Sequence, residues 1–317
     1  MAFVNMTFEE FIEEWRGDVP FITAHTSGST GTPKEIILNK EFVRRSACRT
    51  NSFFHIGRDS RLHSCVSPEF IGGKMMAVRA EEASCRLTWE TPSNVALSGI
   101  RKDDTIDLLA VVPSQMLHIV SNIEEMPHIG TVIIGGSAIN PRLREKIAKS
   151  GLEAYETYGM TETASHIALR KVEAEEGEFC TLPGISVGVD ERGCLAISFD
   201  SGERIVTNDL ATVYDGRRFI IDGRYDHVII TGGKKVNPFD VERRIGGIID
   251  CPFVISSLPD EKWGSRVVLK LEGLANEETS DDSLIEKMKR LLHPWEVPKE
   301  IIRVEKFTRT SNGKIRR

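Results

Sequence analysis

Directly after an apolar run from Val19 to His25, the chain reads Thr26-Ser27-Gly28-Ser29-Thr30-Gly31-Thr32-Pro33-Lys34-Glu35-Ile36. Small side chains leave the backbone amides and hydroxyls of such a loop open, and Lys34 adds one mobile positive charge. Amides arranged in a concave nest bind anions, so the chemistry on offer is a grip on polyphosphate oxygens. The common phosphate-loop pattern G-x-x-x-x-G-K-[ST] is absent, and Lys34 follows a proline. A solvated Ser/Gly linker has the same composition.

Three other stretches carry reactive residue types. Tyr158-Gly159-Met160-Thr161-Glu162-Thr163 sets one carboxylate beside hydroxyls. That suits a magnesium ion, which prefers a few oxygen ligands and keeps its waters; it equally suits a helix start where Glu162 serves the dipole. Gly72-Gly73-Lys74-Met75-Met76-Ala77-Val78-Arg79 puts two cations near an apolar wall. Lysine and arginine are rarely buried unpaired, so the plain expectation for either is solvent. One that points inward would select a substrate with a second anion. Ser311-Asn312-Gly313-Lys314 closes the chain with a basic group, in a position that usually frays.

The elements that must hold these residues follow from periodicity. Phe8, Phe11, Ile12 and Trp15 recur at helical spacing after a Thr7/Glu10 capping box. Residues 35–38 read as a strand and 40–53 as a helix capped by Asn39. Gly72 and Gly73 suggest a loop opening a helix. Strands are expected at 107–112, 131–134 and 152–157, with proline-started helices at 113–122 and from Pro141, the latter ended by Gly151. This alternation implies a layered α/β domain with a largely parallel sheet. Ligands of such sheets sit beyond the carboxyl ends of the strands, where the motifs at 26–34, 135–138 and 158–163 each fall. From Leu182 to about Gly223 the texture is a β-rich subdomain with tight turns. A compact α+β unit then runs to the end, with a hairpin across residues 231–235. The expected domains are therefore 1–225 and 226–317.

Composition narrows the classes. The 317 residues carry a net charge of −6, with no basic field to attract nucleic acid. No run of about 18 apolar residues is present, so no membrane insertion is expected. The acidic amphipathic start is unlike a signal peptide. Six scattered cysteines without a C-x-x-C suggest neither a zinc site nor a disulfide framework, and reduced thiols in a cytoplasm are the simpler account.

Taken together, these motifs resemble those of the acyl-adenylate-forming enzymes: acyl-CoA ligases, amino-acid adenylation domains and luciferases. The resemblance runs from about residue 22 to the last residue. It implies an α/β N-terminal domain plus a small mobile C-terminal domain, with ATP, Mg2+ and coenzyme A as cofactors and a small carboxylic acid as substrate. It implies that Thr26, Ser27, Gly28, Ser29, Thr30, Gly31, Thr32 and Lys34 hold phosphates. Glu162 would hold magnesium, Thr161 would touch the phosphates, Tyr158 would stack on adenine, and Gly159 and Met160 would belong to the same cofactor-binding segment. Gly135, Gly136, Ser137 and Ala138 would form the backbone strip beside the acyl pocket and adenine.

Thr207-Asn208-Asp209 stands where the family has T-G-D. Asp209 and Arg224 would then bind the ribose, with Asn208 substituting for glycine at a position of positive φ. Asp226 would be the hinge, and Gly232 and Gly233 would line the thiol's tunnel once the small domain turns. Pro259-Asp260 with Trp263-Gly264 fits a further C-terminal pattern. Lys314 would neutralise charge where carboxylate meets α-phosphate. Most members carry well over a hundred residues before the phosphate loop, so a naturally short ligase is expected. Phe70 stands where the family often has histidine. The run Gly73-Lys74-Met75-Met76-Ala77-Val78-Arg79 is similar to that of the compact 2-succinylbenzoate–CoA ligases of menaquinone synthesis, with Gly73, Lys74 and Arg79 toward the acid. Another aryl- or acyl-CoA ligase, a non-catalytic acyl-adenylate binder and a non-adenylating NTPase remain as alternatives.

Overall fold

The computed structural model describes residues 6–25, 34–273, 281–309 and 315. By contact the chain divides into two compact units, one of residues 1–186, 199–201 and 310–314, the other of 187–198, 202–309 and 315–317. The division falls at Val187, earlier than the expected boundary after residue 225. The physical reason lies in the β-rich strands, against which the first C-terminal helix packs.

The first unit opens with α1 (Phe8–Arg16), whose capping box is formed: Glu10 N–H donates to Thr7 Oγ1 and Thr7 N–H to Glu10 Oε2. β1 (Phe21–His25) and β2 (Glu35–Asn39) pair as an antiparallel hairpin closed at His25 and Glu35. α2 (Lys40–Phe53) follows directly, with Glu41 N–H donating to the Asn39 cap. Then come β3 (Arg61–Ser64), α3 (Ile71–Ala83), β4 (Arg86–Trp89), β5 (Thr105–Val111), α4 (Pro113–Ser121), β6 (His128–Ile134), α5 (Pro141–Ser150), β7 (Glu153–Met160), β8 (Ser165–Lys171) and β9 (Phe179–Thr181). The strands lie in the order β9-β8-β7-β6-β5-β3-β4. From β4 to β7 all pairs are parallel; β7–β8 and β8–β9 are antiparallel.

Alternation along the central strands splits the core between the two faces of this sheet. Leu109 and Val111 of β5 with Val132 and Ile134 of β6 pack on α4 and α5 through Met116, Ile119, Leu143 and Ile147. Their sequence neighbours Leu108, Ala110 and Ile133 face Met76 and Ala80 of α3. A further cluster joins α1, β1, α2 and α3 through Phe11, Ile22, Val43 and Met75.

Two details differ from the expectations. Gly72 and Gly73 lie within the first turn of α3 rather than in a loop before it. A Cβ on Gly73 would stand 2.2 Å from Ser67 O, so the missing side chain is what lets the helix settle on residues 67–68. Nor does a helix follow Tyr158–Thr163. β7 runs through Met160, a 3-10 turn spans Thr161–Thr163, and β8 returns antiparallel with Gly159 opposite His166.

The second unit holds β10 (Ile185–Val189, from Val187), β11 (Cys194–Phe199), β12 (Arg204–Val213) and β13 (Arg218–Arg224), with β11–β12 and β12–β13 antiparallel. A tight hairpin of β14 (Ile229–Thr231) and β15 (Lys234–Val236) leads to α6 (Pro238–Ile245), which lies against β13. β16 (Phe253–Asp260), β17 (Gly264–Glu272) and β18 (Glu300–Val304) form a mixed sheet, with α7 (Asp281–Lys289) between the last two strands in sequence. Val241, Ile245, Leu269, Leu284 and Met288 form its core. Among the described residues, no helix is long and apolar enough to cross a membrane. All six cysteines are free thiols.

Candidate active site

Parallel pairing puts the carboxyl ends of β6 and β7 side by side, with Ile134 opposite Glu156. The strip Gly135–Ala138 and the segment Tyr158–Thr163 therefore meet at one edge of the first unit. Thr157 Oγ1 donates to Ile134 O at 3.2 Å, and a Cβ on Gly135 would come within 2.9 Å of that hydroxyl. Gly136 follows at φ +90, in the left-handed region that glycine enters freely. β2 packs on the Thr161–Thr163 turn, so the hairpin that carries residues 26–33 starts from the same edge. Residues 26–33 and Lys314 lie outside the described residues; Lys34, at the foot of β2, is exposed.

The turn is built around Thr163. Met160 N–H donates to its hydroxyl at 2.9 Å, and the hydroxyl donates to Ser165 O at 2.6 Å. Ala164 and Ser165 then take positive φ values of 49 and 86, an uncommon conformation for residues with a Cβ. Ser46 of α2 anchors the strained pair by donating to Ala164 O at 2.8 Å. Thr161 is buried, whereas Glu162 is half-buried and has neither hydrogen bond nor ion pair among the described residues. A free carboxylate fixed on a turn fits a hard cation that takes oxygen ligands.

Behind the two motifs lies a charge network that sequence reading did not single out. The buried Glu156 carboxylate accepts from Arg144 Nη2 and Arg170 Nη2, each at 2.7 Å, and from Ile139 N–H at 3.2 Å. Arg170 also pairs with Glu176 and lies 4.2 Å over the Phe179 ring, which in turn meets the Tyr158 ring at 5.7 Å. One carboxylate thus ties the glycine strip to the aromatic support of Tyr158. The only sequence signal was a glutamate two residues before Tyr158 on a strand expected to be buried.

Both cations of α3 are buried, against the expectation of solvent for either. Lys74 is 1% exposed; its Nζ donates to Met6 Sδ and sits 4.3 Å over the Phe11 ring. Burial lowers its pKa to about 8, with Glu14 opposing the shift. Arg79 is also 1% exposed and leans toward β8, with Nη2 3.4 Å from Ser165 Oγ and 3.5 Å from His166 Nδ1. Its Nε has no partner, and burial lowers its pKa to about 9. Thr50 Oγ1 donates to Ser46 O and so accepts from His166 Nε2–H at 3.0 Å, which leaves Nδ1 as the acceptor facing Arg79. Burial, then the Arg79 charge, hold the imidazole well below its usual pKa. Neither Lys74 nor Arg79 is ion-paired among the described residues.

In the second unit, Asp209 and Arg224 are register partners on β12 and β13, with Arg224 Nη1 3.2 Å from Asp209 Oδ1. Arg224 also clasps Asp226 through Nε and Nη2, at 3.0 and 2.8 Å, which lowers the Asp226 pKa. Asn208 lies in the extended backbone of β12, not in the positive-φ conformation expected of it. Its side chain accepts from Arg192 Nη1 at 3.1 Å, a bond that glycine could not make. Gly232 and Gly233 turn the β14–β15 hairpin at φ +54 and +76. Gly232 N–H donates to Trp263 O, and a Cβ there would strike the Trp263 ring at 2.5 Å.

Comparison with known proteins gives the family. The model of the AMP-binding enzyme family matches residues 9–190, more than half of the chain. The chain belongs to the AMP-binding enzymes. This AMP-binding enzyme is 34% identical to an AMP-forming acyl-CoA synthetase/AMP-acid ligase II-like protein from Dyadobacter fermentans, with a TM-score of 0.63 over 96% of this chain and 90% of that one. A 2-succinylbenzoate–CoA ligase from Listeria monocytogenes is 27% identical over 97% of this chain and 71% of its own length. The fold is shared with the o-succinylbenzoate CoA synthetase of Bacillus subtilis, solved with its acyl-adenylate intermediate, at a TM-score of 0.80 and 19% identity over 93% and 67% of the two chains. The α/β fold class expected from sequence is thereby met.

Proposed function

We propose that this AMP-binding enzyme is an ATP-dependent acid–CoA ligase whose acid is 2-succinylbenzoate, acting in menaquinone biosynthesis. The observation that carries the substrate assignment is Arg79. A guanidinium buried near the Glu162 turn, with Nε unpartnered and no carboxylate paired to it among the described residues, favours a ligand that brings its own anion. 2-Succinylbenzoate has an aliphatic carboxylate to activate and an aromatic one to pair with Arg79. Lys74 points instead at Met6 and Phe11 and serves as a packed cation.

In the first step, Lys34 and the amides of residues 26–32 hold the triphosphate while the aliphatic carboxylate attacks the α-phosphorus. Lys314 neutralises the charge that gathers there, so positioning and electrostatics supply the rate. Glu162, with Thr161 beside it, is the carboxylate that would hold magnesium, which when bound neutralises phosphate oxygens. Tyr158, backed by Phe179, stacks on adenine; Asp209 and Arg224 take the ribose hydroxyls. Pyrophosphate leaves and the acyl-phosphate anhydride remains.

In the second step, the C-terminal part turns about Asp226 and brings Gly232 and Gly233 into play. The coenzyme A thiol loses its proton to solvent, its sulfur bonds the acyl carbon, and AMP departs. The test is pyrophosphate release with ATP and Mg2+ on 2-succinylbenzoate, benzoate and a medium-chain fatty acid, with and without coenzyme A. Coenzyme A-dependent turnover confined to 2-succinylbenzoate is expected. Turnover with only the other acids would discard the substrate and keep the ligase.

A further inference from the structure

Away from the residues just described, the ends of β3 and β4 gather a second constellation. His63 and Cys65 are two apart, point to one side and are fully buried. β4 runs parallel to β3 with Thr88 opposite His63, and it delivers Glu90 just past its end, where Glu90 N–H donates to Ser64 O. A ring nitrogen of His63, Cys65 Sγ and a carboxylate oxygen of Glu90 all lie within 4.8 Å of one another. Nitrogen, sulfur and carboxylate oxygen together are the donor set of a borderline-soft divalent ion.

The surrounding hydrogen bonds fix the form of the ligands. Thr88 Oγ1 donates to Leu62 O at 3.3 Å, and so accepts from His63 Nδ1–H at 2.8 Å. This tautomer leaves the lone pair on Nε2, and Nε2 is buried with no partner. An unmet buried acceptor is destabilising, and coordination would remove that cost. On the other side Leu97 N–H donates to both Glu90 oxygens, at 2.9 and 3.1 Å, and orients the carboxylate. Orienting partners of this kind, a donor or acceptor on each ligand's far side, accompany metal ligands.

We propose that His63, Cys65 and Glu90 bind one Zn2+ ion, with water completing a tetrahedral site. The sulfur–zinc bond forms as the Cys65 thiol proton passes to solvent, and no electron is transferred. The ion staples the end of β3 to the segment from Glu90 to Leu97, just before the chain enters the loop that leads to α3 and Arg79. Sequence spacing hid the site, because Glu90 reaches the other two ligands only through strand pairing.

The full chain is stripped with a chelator and titrated with Co2+ in excess Mg2+. One equivalent is expected to develop a thiolate-to-cobalt charge-transfer band in the near ultraviolet, which Zn2+ then removes. An oxygen-only magnesium site cannot give that band. Cys65→Ser abolishes it, whereas Cys194→Ser, at a buried thiol far along the sequence, leaves it intact. Glu90→Gln keeps an acceptor for Leu97 N–H and weakens Co2+ binding by about tenfold or more. Absence of the band in the unaltered protein overturns the proposal, whatever the variants do. So does a band that survives Cys65→Ser.

Discussion

Arg79 and His166 share a buried contact in which only the guanidinium carries charge. Nη2 stands 3.5 Å from Nδ1 of a ring whose other nitrogen donates to Thr50. The histidine gives Arg79 an acceptor but no neutralising charge, and the guanidinium's other β8 contact, Ser165, lies two residues past the turn that presents Glu162. If Arg79 selects the acid and Glu162 serves its activation, as proposed, Ser165 and His166 are the two adjacent residues that join them.

Lys74 is a stability liability whose pH dependence has a definite sign. Its folded pKa of about 8 lies below the ordinary 10.5, so between these values the unfolded chain binds more protons. Wild-type stability from this residue therefore rises as pH climbs through that window and is lost as pH falls through about 8. Lys74→Met removes the dependence and stabilises the fold near neutral pH by about 1–3 kcal/mol, while selectivity for the dicarboxylate is kept. Urea unfolding across the window checks this; an unchanged slope or a less stable variant contradicts it.

Glu156 holds two buried arginines and the amide of Ile139. Glu156→Ala leaves both buried arginines only the exposed Glu176 carboxylate to share, and is expected to cost up to about 3–5 kcal/mol. Because the glycine strip and the Tyr158 support loosen together, KM for ATP rises as well. Denaturation midpoints and ATP kinetics measure the two effects, and a variant near wild-type stability would refute the network's role.

Thr163 joins Met160 N–H to Ser165 O across a turn with two strained residues. Thr163→Val leaves these groups unpaired, for a loss of about 1–3 kcal/mol, whereas Thr163→Ser retains the bonds. The expected pattern is a fall in melting temperature and in magnesium-dependent ATP affinity for valine, with recovery for serine. Equal behaviour of the two variants would rule out the hydroxyl as the fastener.

How much of this was legible in the sequence depends on whether the cause was local. The Thr7/Glu10 capping box, the proline-started helices and the parallel core strands were readable, since periodicity and caps act within a few residues. The 3-10 turn at Thr161–Thr163 was not, because its cause is a hydroxyl reaching across to β8. Burial of both Lys74 and Arg79 was not legible either, since solvent was the plain expectation and one inward cation the alternative. Charged residues on a helix normally face water, and only packing on Met6, Phe11 and His166 shows otherwise. Asp209, Arg224 and Asp226 could be named from sequence, but the shared guanidinium contact required the β12–β13 register.

The most direct measurement compares kcat/KM for 2-succinylbenzoate with that for the same acid lacking its aromatic carboxylate, in the wild type and in Arg79→Met. The account predicts that the substitution lowers the value for 2-succinylbenzoate by roughly 30-fold or more, about 2 kcal/mol, and leaves the monocarboxylate little changed. Equal losses on both acids, or none on either, would contradict Arg79 as the partner of the second anion.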